Sequence, residues 1–460
     1  MRLLICGILV FSVLSACVSR RQVVGEYDRN LSLSSREQAR RPQTLVFFLM
    51  DGLSVPLTQK LLAEERIPNI KSFFLPSRHE FFLARSTFPS LTHVNMSAIL
   101  TSRNVDTQPV IGNKILREGK LINLESPFAQ DKFSELVRPY SIFTDLTRQK
   151  RTSMSFAPYY GDGATARYGL DLKMGFAYRF GDYAYVDAEL LQSFIFALEK
   201  IPVVEWPEFI FVHIIGIDGN EHRHGELSKE VVVYAEDIDQ RLGEVFELLR
   251  KASHEGRQIG AVMTSDHGMS NLKDYVSIDQ AVSSLAPGAT LINQGRMMGV
   301  HFSPAFSMRE RDSFSSSAVT LPGVEMIVHR KGEMLSMHTP NKIYTLRYQD
   351  ADCGRDGNYA LSLEGRPFLC PSQLNRVSEK FYYPYFATSL ATYFRAKDGP
   401  DAILLAREQT SFGANLHAHH GGMTPGEILV PLLLWNLDYQ SAEKHPQTYR
   451  LLETFRASRN

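Results

Sequence analysis

Three unbroken apolar runs, each delivering a carboxylate at its end, constrain this 460-residue chain more than any other feature. Thr44–Met50 leads into Asp51-Gly52, Phe209–Ile217 into Asp218, and Ile259–Thr264 into Ser265-Asp266-His267-Gly268-Met269. A strand covered on one face alternates apolar with polar residues. A strand covered on both faces reads as a continuous apolar stretch, the mark of a parallel sheet held between helices. Residues 230–250 carry Val233, Ile238, Leu242, Val245, Leu248 and Leu249 at helical spacing with charges opposite, as a packing helix would. Leu57–Phe74 reads as a helical crossover leading back to the sheet. The expected class is α/β with a mostly parallel central sheet. Open sheets of this kind gather their chemistry beyond the carboxyl ends of the strands, where all three aspartates fall.

Those aspartates have company. His222 follows Asp218 by four residues, close enough for carboxylate and imidazole to meet one ion at about 2 Å. Asp266 and His267 are adjacent where a strand stops, so both can reach one ion. Asp51 opens a turn at the tip of the first strand, a position that alone would suggest only a turn residue. His213 and His224 read as supporting or surface residues. Nitrogen and oxygen donors without thiolate suit zinc, with manganese as the alternative. Between the first two runs lies Ser86-Thr87-Phe88-Pro89-Ser90-Leu91-Thr92-His93-Val94-Asn95, a polar loop giving way to the apolar Met96–Leu100. At such a helix start, backbone N–H groups attract an anion. Thr92 is the expected nucleophile and Asn95 the expected donor to a phosphoryl oxygen. A threonine is far more often a cap or surface residue, and its hydroxyl needs a base or metal to react near neutral pH. The surrounding ligand-type residues carry the catalytic reading.

Met50-Asp51-Gly52, Pro89-Ser90-Leu91-Thr92 with Asn95, Gly112-Asn113-Lys114, Asp218-x-x-x-His222-x-x-Gly225 and Ser265-Asp266-His267-Gly268-Met269 together resemble the type I phosphodiesterase/nucleotide pyrophosphatase branch of the alkaline phosphatase superfamily. The resemblance covers roughly residues 44–280 and 385–436 and departs at Val94, where that family usually carries proline. It implies an alkaline-phosphatase-like three-layer αβα sandwich. It also implies a His-Gly loop carrying the last ligand: His420, directly before Gly421, is the best match, with His419 and His417 as alternatives of register. One ion would then take Asp218, His222 and His420, the other Asp51, Asp266, His267 and Thr92. Such paired ions, about 4 Å apart, activate a nucleophile and clamp a phosphoryl group. The expectation is hydrolysis of phosphodiester or pyrophosphate bonds in nucleotide-like substrates through a phosphothreonine. A phosphomonoesterase with the same site is the near rival, and a non-catalytic surface lipoprotein that kept the fold is a third reading. A sulfatase is disfavoured because Thr92 lacks the Cys/Ser-x-Pro-x-Arg setting.

Residues 1–16 place one positive charge before an apolar segment too short to span a bilayer with ease, an export signal. Leu14-Ser15-Ala16-Cys17 resembles the bacterial lipobox, implying cleavage before Cys17, its lipidation and outer-membrane anchoring on the periplasmic or cell-surface side; an ordinary signal peptide is the plainer alternative. Residues 17–43 are polar and Arg-rich, as a solvated tether would be. Cys353 and Cys370 remain as an expected structural disulfide in an oxidising compartment. Expected segments are catalytic core at 44–280 and 385–440, a strand-rich cap at 281–384, where short alternating stretches lie between turns, and a tail at 441–460. Formal net charge is zero and pI about 7.2, so electrostatics selects neither nucleic acid nor an anionic membrane. The expected partners are a small phosphoester and, through the lipid, a membrane.

Overall fold

A computed structural model describes residues 43–77, 80–126, 130–354, 357–378, 385–413, 415–437 and 444–453, together with 20, 22–24, 27 and 383. The segment expected to be an export signal, Cys17 and most of the expected tether lie outside the described residues. Among the described residues, no helix is long and apolar enough to cross a membrane.

A seven-stranded sheet is ordered 82–85, 429–435, 258–264, 43–50, 209–214, 153–156, 166–168. Strand Gln43–Met50 lies at its centre, parallel to both Phe209–Ile214 and Gln258–Thr264. Leu429–Trp435 runs antiparallel to Gln258–Thr264 and pairs antiparallel with edge strand Phe82–Arg85. The unbroken apolar runs have the cause expected of them. Val46, Phe48 and Met50 face one core, shared with helices Tyr183–Lys200 and Lys229–His254. Leu45, Phe47 and Leu49 face another, shared with helix Thr92–Thr101 and with the second sheet. The expected single crossover over 57–74 is two helices, Val55–Ala63 and Pro68–Phe74, because Pro68 starts a helix and cannot continue one.

The second sheet also has seven strands, antiparallel, ordered 290–293, 297–301, 402–406, 324–331, 334–338, 343–350, 359–363. Ala402–Ala406, expected in the catalytic core, is instead an interior strand here, between Met297–His301 and Val324–Lys331. Burial on both faces leaves it nothing to distinguish it, by composition, from a central-sheet strand. One face of this sheet, with Val328, Met337 and Leu405, joins the core under helix Thr92–Thr101. The other, with Met298, Val300, Ile327 and Leu404, is closed by helices Asp279–Leu285 and Met308–Ala318. Cys353 and Cys370 form a disulfide with Cα atoms 5.6 Å apart.

Candidate active site and metal centre

The carboxyl ends of the three parallel strands converge. Asp51 follows Met50, and Gly52, at φ +76°, turns the chain so close to Asp218 that an added Cβ would lie 2.9 Å from the Asp218 Cα. Phe209–Ile214 stops short of Asp218, which sits in the first turn of helix Gly216–His224. There the four-residue spacing brings His222 to the same side, Nε2 3.3 Å from Asp218 Oδ1. After Thr264 the chain bends, with the Ser265 hydroxyl donating to the His267 carbonyl at 2.6 Å. Gly268 then passes Gly426 where a Cβ would come 2.0 Å from a carbonyl oxygen.

Three imidazoles are pinned alike. His222 Nδ1 meets the Ala418 carbonyl at 2.8 Å, His267 Nδ1 that of Gly268 at 3.1 Å, and His420 Nδ1 that of Ser90 at 2.8 Å. A carbonyl only accepts, so each Nδ1 carries the proton and each Nε2 presents a lone pair. His222 and His420 aim it at Asp218 Oδ1, at 3.3 and 3.4 Å. His267 aims it at Asp266 Oδ2 and Asp51 Oδ1, at 3.2 and 3.5 Å, and lies 3.0 Å from the Thr92 hydroxyl. Asp51 Oδ1, Asp218 Oδ1 and Asp266 Oδ2 are buried with no hydrogen-bond partner among the described residues. Their sister oxygens on Asp51 and Asp266 are engaged, by His213 Nε2 at 3.0 Å and Gly52 N–H at 3.3 Å. Ligand atoms around a tetrahedral ion with bonds near 2 Å stand about 3.3 Å apart. Lone pairs facing orphaned carboxylate oxygens at that spacing fit divalent cations.

Electrostatics agrees with the geometry. Burial, then the charges of Asp266 and Asp218, drives Asp51 well above the carboxylate range, and burial with Asp218 raises Asp266 to about 8. Burial alone would raise Asp218 too, but His222, His420 and His267 hold it low. Burial lowers His267 to about 4 and His420 to about 3, and the two neutral rings stack with centroids 3.6 Å apart. Three crowded carboxylates without a cation are unfavourable, and an ion removes that penalty.

Thr92 is the first residue of its helix, with Leu91 as an N-cap that lends no side chain. Asn95 does not face the site. It is fully buried, its Oδ1 taking the Thr87 N–H at 2.6 Å and its Nδ2 reaching the carbonyls of Thr87, Pro89 and Leu91. With both amide ends spent on the preceding loop, it cannot be the phosphoryl donor expected of it. One turn further along the helix points it inward, which spacing alone does not reveal. The carboxamide at the helix mouth is Asn113, whose Oδ1 takes the His93 N–H at 3.2 Å. Its only sequence signal was its place in the Gly112-Asn113-Lys114 turn.

Of the terminal histidines, His417 is exposed. His419 spends its Nδ1 lone pair on the His420 backbone N–H at 2.9 Å, and only His420 reaches Asp218. His224 is exposed, while His213 is buried against Asp51. Among the aromatics, Tyr160 is buried with its hydroxyl 2.8 Å from His93 Nδ1, Tyr183 lies against Gly219 beside Asp218, and Phe180 is 78% exposed.

Residues 45–352 match the family model described as type I phosphodiesterase / nucleotide pyrophosphatase. The chain belongs to the type I phosphodiesterase/nucleotide pyrophosphatase family. As a member of it, the protein is a hydrolase of phosphoric esters. A search of curated proteins returns no match. Two crystal structures of the phosphonoacetate hydrolase from Sinorhizobium meliloti 1021, in complex with phosphonoformate and with phosphonoacetate, are similar in fold. Each gives a TM-score of 0.57 at 14% identity, over 89% of this chain and 94% of theirs. The fold is the alkaline-phosphatase-like one, a mostly parallel sheet between helices with an antiparallel strand-rich sheet beside it.

Proposed function

We propose that this family member is a two-metal phosphodiesterase or nucleotide pyrophosphatase working through Thr92. Asp218, His222 and His420 would hold one cation; Asp51, Asp266 and His267, with Thr92, would hold the other. Zinc fits the donor set best, manganese next. The observation that carries the reading is the facing of three orphaned carboxylate oxygens by three pinned imidazole lone pairs at 3.2 to 3.5 Å. When bound, the cations supply the positive charge that lowers the hydroxyl's pKa and offsets charge on the phosphoryl oxygens.

The chain's own residues do the rest. Thr92, at the positive end of its helix, attacks phosphorus in line with the leaving oxygen. The new bond joins Thr92 Oγ to phosphorus, and the bond to the leaving alcohol or phosphate breaks. Water then attacks the phosphothreonine and returns the hydroxyl. Asn113 holds the helix mouth, its Oδ1 taking the His93 N–H at 3.2 Å and its Nδ2 donating to Glu125 at 3.2 Å. A small phosphoester is in keeping with the small phosphonates in the two related structures. A lipid anchor on Cys17 belongs to the same reading and is supported by Leu14-Ser15-Ala16-Cys17; Cys17→Ser should move the protein from the membrane pellet to the soluble fraction.

The test compares hydrolysis of bis-p-nitrophenyl phosphate and p-nitrophenyl phosphate. Preference for the diester, lost on chelation, restored by zinc and reduced roughly 10³-fold or more in Thr92→Ala, is expected. Monoester preference would select the phosphatase instead, and full activity in Thr92→Ala would remove the nucleophile.

A further inference from the structure

The second sheet carries imidazole and carboxylate groups that phosphoryl chemistry does not use. Strands Val324–Lys331 and Met334–His338 pair antiparallel, with Ile327 opposite His338 and His329 opposite Ser336. Strand alternation puts these four residues on one face, making His329 and His338 diagonal neighbours, with ring centroids 5.4 Å apart. Ile327 of that face packs under helix Met308–Ala318. From this helix Asp312 brings Oδ1 to 3.0 Å from His329 Nε2, and Ser315 brings its hydroxyl to 2.8 Å from His329 Nδ1. One donor atom from each of Asp312, His329 and His338 lies within 4.8 Å of the other two.

We propose that Asp312, His329 and His338 form a separate divalent-cation site of the zinc class, tying helix Met308–Ala318 to the second sheet. Two imidazoles and a carboxylate are a common zinc donor set, and water on the open side completes four-coordination. Both rings are buried, and that burial disfavours imidazolium, leaving lone pairs at neutral pH. The carboxylate is 40% exposed, so an ion has a way in from solvent. When the Ser315 hydroxyl accepts the Nδ1 proton of His329, the Nε2 lone pair faces Asp312, the arrangement seen at the catalytic centre. One group opposes the ion: the Lys331 ammonium stands 2.8 Å from Asp312 Oδ2. It too is 40% exposed on a long stem, and it swings into water when the carboxylate is taken. The competing arrangement is a metal-free hydrogen bond in which His329 Nε2–H donates to Asp312.

The experiment measures zinc by mass spectrometry in the full-length protein after zinc loading and desalting, for wild type, His338→Gln, Asp312→Asn and Lys331→Met. This site does not depend on the catalytic reading, because only differences between forms are compared. Wild type should retain one zinc per chain more than His338→Gln and Asp312→Asn, with phosphodiester turnover unchanged in both. Lys331→Met should bind that ion about tenfold more tightly against a chromophoric chelator. Equal zinc in wild type and both ligand variants overturns the site, as does unchanged affinity in Lys331→Met. Should His338→Gln fail to fold, Asp312→Asn, altered at a half-exposed carboxylate, carries the same comparison.

Discussion

At the scale of the residue, the site depends on which atom of each polar side chain is already taken. His267, His222 and His420 each give Nδ1–H to a backbone carbonyl, so the reactive lone pair is fixed before any ligand arrives. His213 does for Asp51 what those carbonyls do for the rings, holding one oxygen so that the other faces His267. Replacing it with alanine should weaken metal retention or turnover by roughly 10- to 100-fold, read by chelator competition, while the nucleophile stays in place. Asn95 makes the opposite point. Its four hydrogen bonds are all structural, so Asn95→Ala leaves buried loop groups unpaired and should destabilise the protein by about 1–3 kcal/mol in denaturant unfolding. A residue that only touched substrate would change KM or kcat at constant stability.

At the scale of the element, strand ends and loops hold those atoms in register. The loop after His420 is fixed by Glu427, which accepts the N–H groups of Gly422 and Thr424 at 3.0 Å each and pairs at 2.9 Å with buried Arg296, directly before strand Met297–His301 of the second sheet. Burial alone would raise the Glu427 pKa, but Arg296 outweighs it and the value lies below 4.5. A carboxyl depressed on folding contributes stability above its unfolded pKa, and that contribution is lost as pH falls through the folded value. Glu427→Gln should therefore be destabilised by about 3–5 kcal/mol at pH 7, and the gap from wild type should close in acid-unfolding curves as pH falls through the depressed Glu427 value. The disulfide acts at the far edge of the second sheet. Cys353 and Cys370 are 17 residues apart, and the closed loop implies about 3 kcal/mol of stabilisation. A double serine variant should lower the midpoint of unfolding, measured in the absence of reductant, and leave the metal content of the catalytic centre unchanged.

At the scale of the whole molecule, the two sheets share one core, and the candidate metal centre lies where loops from both meet. Burial and acidic neighbours drive the Asp51 and Asp266 carboxyls up, a penalty that a bound cation would remove. Chelation should lower Tm by several degrees, and zinc should restore it in a concentration-dependent way, because a ligand that binds only the folded state stabilises it by mass action. Much of this was legible in one dimension. Unbroken apolar runs of this length are consistent with strands buried on both faces, and such strands end where sites form, so Asp51, Asp218 and Asp266 stood out without coordinates. Local spacing likewise joined Asp218 to His222. What the sequence could not decide was direction and partnership across long separations. Asn95 is the expected donor until helix phase turns it inward onto the preceding loop. His420 is the best match by its place before Gly421, and its contacts with Ser90 and Asp218 separate it from His417 and His419. Ala402–Ala406 reads like any buried strand until its antiparallel partners assign it to the second sheet. Periodicity and composition are local quantities, fixed by neighbouring residues; which atom faces which across hundreds of positions is set by packing, and only the folded chain decides it.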